Sequence, residues 1–189
     1  MEKFYLYWAK YCDLGDRDRG WLQGHAEVLP LVKRGTLLFE EGNDGRYVFF
    51  VNSGFLAGVT WDEEGNRRIH HLAPQEHNLM TNVNLYTHKK IAMNIVALRH
   101  SEVLRLPVQA LHDFKESCRE GETLADVLRD KIQKQDRKHI QLLQIKDEKQ
   151  RYISFFHECP ELRRITRLQE QADYLNISMS TARRAIRIC

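Results

Sequence analysis

Cysteine and proline are both scarce in this chain, with 4 of each in 189 residues. Cys12, Cys118, Cys159 and Cys189 lie far apart and form no Cys-x-x-Cys pair, which excludes a disulfide-stapled scaffold and any zinc or iron–sulfur motif legible from spacing. Reduced thiols are expected. Apolar runs long enough for a membrane helix are absent, and Met1–Lys10 lacks the uninterrupted apolar stretch of a signal peptide, so a cytoplasmic protein with no membrane partner is expected. A phosphate loop, a Gly-x-Ser-x-Gly elbow and a His-Glu-x-x-His pair are missing as well, so an enzyme is not expected. The 9 histidines give no metal triad of the β-roll enzyme type, and His70 and His71 are neighbours in a predicted strand, where they would point to opposite faces. No metal and no cofactor are therefore assigned, while haem ligation by one histidine is left open.

What is present is an ordinary globular composition, 42% hydrophobic and 29% charged, with a formal net charge of +3. That excess is localised: the segment from Lys146 to Cys189 carries nine Lys/Arg against six Asp/Glu, and the rest of the chain balances. The basic segment ends in a helix-turn-helix pattern. Leu168, Ala172 and Leu175 recur at helical spacing, and Thr166 with Gln169 three residues on has the form of a capping box. Asn176 tolerates the left-handed backbone of a turn, and Ser178 is a natural cap for a second helix. In that helix Ala182, Ala185 and Ile186 would face inward, leaving Met179, Ser180, Arg183, Arg184 and Arg187 outward. The alternative is a plain amphipathic hairpin with solvated arginines; the local charge excess favours a nucleic-acid surface.

Between about Leu37 and Leu106, short apolar runs alternate with turns at Gly35, Gly42, Gly54, Gly65 and Pro74, which predicts antiparallel β structure. Strands are expected at Thr36–Phe39, Tyr47–Val51, Phe55–Val59, Arg68–Leu72, Asn94–Leu98 and Val103–Leu106. The carboxylates of Asp62, Glu63 and Glu64 precede Gly65-Asn66 and so belong to a hairpin turn rather than to an acid/base pair. After Pro107 the pattern turns helical, with a break at Glu120-Gly121 and a long charged stretch from Glu122 to Asp147. There Ala125, Leu128, Ile132, Gln135, His139 and Leu142 alternate spacings of three and four, the seam of a dimer helix whose polar members would fix register. The alternative is a helix packed on its own β domain through Leu124, Val127 and Leu143.

Lys33-Arg-Gly-Thr-Leu-Leu-Phe-Glu-Glu-Gly42, Phe49-Phe-Val-Asn-Ser-Gly54, Ala97-Leu-Arg-His-Ser-Glu-Val-Leu-Arg-Leu106 and Ser178-Met-Ser-Thr-Ala-Arg-Arg184 occur in the order and spacing found in the Crp/Fnr family of bacterial transcription regulators, which the chain resembles over nearly its full length. The resemblance implies an α+β chain: an N-terminal antiparallel β-roll of the cyclic-nucleotide-binding type over 1–115, a dimerisation helix over 116–146, and a winged-helix-like helix-turn-helix over 147–189. It also implies a homodimeric DNA-binding regulator with double-stranded DNA and RNA polymerase as partners. The alternative is a β-roll ligand-binding or protein-interaction module that does not recognise operators.

Family members that bind cyclic nucleotides use a Gly-Glu pair and, roughly ten residues later, an Arg with a small residue, because the cyclic phosphate needs a guanidinium and the ribose a carboxylate. Here those slots fall on Met80-Thr81 and Ile91-Ala92, with Lys90 adjacent, so the effector is expected not to be cyclic AMP and remains unassigned. The DNA-reading slots also depart from the best-known members, with Met179 and Ser180 first. Arg184 matches the later arginine and is expected to read a guanine edge. Ser178, Thr181, Arg183 and Arg187 complete the recognition-helix contacts, and Thr166, Arg167 and Gln169 would meet phosphates.

Overall fold

The computed structural model describes residues 1–83, 87 and 89–189. The chain divides into two compact units, Met1–Gly58 with Leu72–Ile132, and Val59–His71 with Gln133–Cys189. Two helices open it, α1 (Glu2–Trp8) and α2 (Asp16–His25). Eight strands follow: β1 (Glu27–Val32), β2 (Leu37–Phe39), β3 (Tyr47–Ser53), β4 (Phe55–Trp61), β5 (Arg67–Pro74), β6 (Asn78–Met80), β7 (Asn94–Ala97) and β8 (Ser101–Pro107). They form two four-stranded sheets in the orders β1-β8-β3-β6 and β2-β7-β4-β5.

The uninterrupted apolar run of β3 is explained by burial on both faces. Val48 and Phe50 join Leu104 and Leu106 of β8 in a core shared with Phe4, Tyr7 and Trp8 of α1. Phe49 and Val51 face the other way, into a core with Phe39, Leu56, Ile95 and Val103. The β3–β4 corner requires glycine: Gly54 has φ +98°, and a Cβ there would meet the Ser101 hydroxyl at 2.3 Å and the His100 carbonyl at 2.4 Å. The expected hairpin forms at Asp62–Asn66, closed by the Asp62 amide donating to the Asn66 carbonyl at 3.0 Å. Up to Pro107, four elements escaped the sequence pattern: α1, α2, β1 and β6.

Two helices continue from β8, α3 (Val108–Ser117) and α4 (Arg119–Leu143). The break between them falls at Cys118, whose backbone is extended, not at Glu120-Gly121, which lie in the first turn of α4. The seam drawn along α4 needs correction. Ala125 and Leu128 are buried in the first unit's own core beside Leu124, and His139 and Leu142 are buried in the second unit. Ile132 and Gln135 are half-buried. The reason is that a three-four spacing marks an apolar stripe without saying what covers it. Of the alternative stripe, Leu124 is buried and Val127 half-buried, but Leu143 is 38% exposed, and next to it Ile140 is 54% exposed.

The second unit continues with α5 (Glu148–Glu158), α6 (Pro160–Ile165), α7 (Leu168–Leu175), α8 (Met179–Ala185) and a 3₁₀ turn at Ile186–Ile188. No strand occurs among residues 147–189. Among the described residues no helix is long and apolar enough to cross a membrane.

Candidate nucleic-acid interface

The helix pair at the end of the chain is set by local chemistry. Asn176 takes the left-handed conformation, φ 52° and ψ 53°, and ends α7. The Ile177 amide then donates to the Ala172 carbonyl at 3.1 Å. Ser178 caps α8, its hydroxyl accepting from the Thr181 amide at 3.0 Å. Ala172, Ala182 and Ala185 are buried and small, which lets the two helices cross closely. Ile186, expected inside, is 42% exposed because α8 gives way to the 3₁₀ turn at that residue and the helical face rotates.

A polar lattice holds this motif to α5. The Tyr152 hydroxyl donates to Gln171 at 2.8 Å, and the Gln171 amide donates to the Thr166 carbonyl and hydroxyl at 3.2 Å each. Burial pushes the Tyr152 hydroxyl up to about 12, which keeps it a donor. The Arg151 fork bonds the carbonyls of Ile145 and Leu175 at 2.8 Å each. His139 stacks on Tyr174 at 3.8 Å between ring centroids and bonds its carbonyl oxygen at 2.6 Å. Burial lowers the His139 pKa, keeping the ring neutral.

The outward residues divide into accessible and engaged. Ser180, Arg183, Arg184 and Arg187 are exposed on α8, as are Arg167, Gln169 and Ser178; Met179 is half-buried. Thr166 and Thr181 are corrections, since both are buried. Thr166 donates to the Leu162 carbonyl at 2.5 Å, and Thr181 donates to the Glu148 carboxylate at 2.9 Å, so neither hydroxyl is presented to a phosphate. The α7 cap is also one residue later than expected: the Glu170 carboxylate accepts from the Arg167 amide at 2.8 Å, while Gln169 bonds Asp173. Sequence reasoning missed the β4–β5 hairpin as a neighbour of the motif in this unit. Arg67 bonds the largely buried Asp173 carboxylate at 2.6 and 2.8 Å, and Arg68 bonds Asn176. A cleft of about 670 Å³ is lined by hairpin residues 62 and 64–68 together with Gln169, Asn176, Ser178 and Met179.

In the β-roll, Thr81 is fully buried; its hydroxyl donates to the Gly45 carbonyl at 3.1 Å and accepts from the Tyr47 amide at 2.8 Å. Lys90 pairs with Asp44 at 2.5 Å. Met80 and Ile91 pack partly on the two apolar cores, and Ala92 is exposed. These five positions therefore do not present a set of free polar groups.

All four cysteines are free. Their wide spacing in sequence did not foretell that Cys118, Asp18 and Glu120 come together, their ligating atoms all within 4.8 Å of one another.

Residues 31–118 match the cyclic nucleotide-binding domain. No curated protein matches the sequence. Among solved structures the chain is similar to FixK2 of Bradyrhizobium japonicum, with TM-score 0.71 and 15% identity over 86% of this chain and 83% of that one. A regulator of Eubacterium rectale assigned to the Crp/Fnr family aligns with TM-score 0.71 and 15% identity, covering 93% and 83%. The regulator CLP of Xanthomonas campestris, described as responsive to c-di-GMP, aligns with TM-score 0.70 and 13% identity, covering 92% and 91%. The chain thus carries a cyclic nucleotide-binding-type domain, and its fold is that of the Crp/Fnr transcription regulators.

Proposed function

We propose that this chain is a homodimeric, DNA-binding transcription regulator of the cytoplasm, with α8 as the helix that enters the major groove and RNA polymerase as a further partner. The supporting observation is the division of α8: its inner face is alanine, close-packed on α7, and its outer face presents Ser180, Arg183 and Arg184, with Arg187 one turn on. Arg184 reads a base edge, Arg183 and Arg187 meet phosphates, and Arg167, at the cap of α7, adds a backbone contact. A second copy would meet the exposed Ile140 and Leu143 of α4 rather than the seam positions buried in the chain itself. The effector is not cyclic AMP. The Thr81 hydroxyl is already bonded on both sides, and Lys90 is held by Asp44.

The test is binding of the parent, Arg184→Ala and Arg167→Ala to an operator selected from random DNA and to its single-base variants, at two salt concentrations. Arg184→Ala should cost about 1 to 3 kcal/mol on the best operator and relax preference at one base pair in each half-site. Arg167→Ala should weaken all sequences alike and lower the salt slope by about one per subunit. Half-sites should lie roughly 34 Å apart. Full base preference in Arg184→Ala would overturn the assignment. It would favour the second function, a β-roll interaction module, for which Met179 and Gln169 facing the hairpin cleft are the supporting observation.

A further inference from the structure

The β4–β5 hairpin and the helix pair belong to the same compact unit, and two arginines tie them together. Arg67 donates through Nε and Nη2 to one oxygen of the Asp173 carboxylate, at 2.8 and 2.6 Å, while the other oxygen accepts from the Gln169 side chain at 2.7 Å. The Asp173 side chain is 8% exposed, so breaking the pair leaves a largely buried carboxylate without its cation. Arg68 donates to the side chain of Asn176, the left-handed residue at the turn between α7 and α8. The hairpin is thus fastened at the residue that fixes Gln169 and at the residue that sets the course of α8.

The tip of the hairpin is acidic and well ordered by its own bonds. The Asp62 carboxylate accepts from the Asn66 and Glu64 amides at 2.7 and 3.1 Å, and the Asn66 side chain donates to the Asp62 and Glu64 carboxylates at 3.2 Å each. Asp62 and Glu64 bound the 670 Å³ cleft on the hairpin side, and Gln169, Ser178 and Met179 bound it on the helix side. Under the proposed function those three helix residues are the ones that face phosphates or open the reading helix. A phosphate backbone laid along them would enter the space that the hairpin borders and meet two fixed carboxylates, where like charges repel.

We propose that the β4–β5 hairpin is an autoinhibitory strap: the Arg67–Asp173 pair latches it to α7, and its carboxylates keep DNA from the start of α8 until the latch opens. The inference rests on the DNA-binding reading and adds the regulation of that site. Latched and open hairpins are two states of one equilibrium, and only the open state accepts DNA, so the apparent affinity is the intrinsic affinity multiplied by the open fraction. By reciprocity, bound DNA favours the open hairpin. β4 and β5 are strands of the sheet β2-β7-β4-β5, which gives the β-roll a covalent route to the latch.

Binding of the full-length parent, Arg67→Ala, Glu64→Gln and Glu63→Gln to the selected operator tests it. Arg67→Ala should bind about tenfold more tightly, the gain expected when loss of the latch raises the open fraction by that factor. The sign is telling, because removal of a cation otherwise weakens DNA binding, and a variant that fails to fold gains no affinity. Glu64→Gln should gain about two- to fivefold, the scale of one exposed charge pair. Glu63→Gln removes the same charge one residue away, from a side chain that does not line the cleft, and should stay near the parent. Without DNA, amide exchange across Val59–His71 should quicken in Arg67→Ala. Parental exchange there, or equal gains from Glu63→Gln and Glu64→Gln, would overturn the strap. Unchanged or weaker binding by Arg67→Ala, with a parent that binds the operator, would overturn the strap alone and leave the DNA-binding reading standing. Failure of all four proteins to bind any duplex would overturn both.

Discussion

The interior of the first unit is made of large side chains, with Phe4, Tyr7, Trp8, Phe49 and Phe50 all buried, whereas the helix pair at the end of the second is closed by Ala172, Ala182 and Ala185. In the first, stability comes from apolar area removed from water. In the second, little side-chain area is available, and cohesion comes from close backbone approach and from the buried lattice of Tyr152, Gln171, Thr166, Arg151 and His139. The two units should therefore fail in different ways: the roll by losing volume, the helix pair by gaining it or by taking on an unpaired charge.

Phe50→Ala is the sharpest test of the first half of that contrast. The ring lies 4.7 Å from Phe4 and 4.8 Å from Tyr7, at the point where β3 meets α1. Its removal should cost about 3 to 5 kcal/mol, read from denaturant unfolding. A loss below about 1 kcal/mol would mean that the helices collapse into the space and that the roll is not a volume-filled core.

The complementary change adds volume. Ala182 is fully buried at the α7–α8 crossing, so Ala182→Leu should force the helices apart and cost about 1 to 3 kcal/mol. Under the proposed function it should also abolish operator binding, because the spacing of α7 and α8 sets the presentation of Arg184. A stable variant with parental DNA affinity would show that the alanines are not the reason for the close crossing.

The same contrast explains what the sequence made legible. The turn of the helix pair was readable because Asn176, Ser178 and the small inward residues act locally, each within a few positions of its partner. Strands with strong alternation or a continuous apolar run, β3 and β8 above all, were readable for the same reason. β1 was hidden by Pro30 at a sheet edge and β6 by its length of three residues. Phe4, Tyr7 and Trp8 have the spacing of a helical stripe and would have marked α1. Other features were not legible, because they depend on which surface the fold brings opposite: α4 turning Ala125 and Leu128 onto its own core, Thr181 meeting Glu148, and Cys118 meeting Asp18 a hundred positions away.

His139 provides the last and smallest test, an unpaired charge introduced by pH. The ring is buried against Tyr174, and desolvation lowers its pKa below the ordinary value of 6.5. The Tyr174 carbonyl opposes that shift only in part, while His70 and His71 nearby add to it or offset it weakly. The unfolded chain thus binds the proton more readily than the native one. Stability is full above the unfolded pKa and falls as pH drops below about 6.5, down to the folded pKa. Between pH 7.5 and 5.5 the loss from this group cannot exceed about 1.4 kcal/mol, the value of one pKa unit. His139→Gln keeps a donor toward the Tyr174 carbonyl and removes the titration, so it should flatten the dependence. A smaller slope should remain from His70, whose pKa burial also lowers. Melting curves across that range decide it. An unchanged slope in His139→Gln would mean that the ring reaches water when protonated, and that the lattice around Tyr174 is looser than its geometry implies.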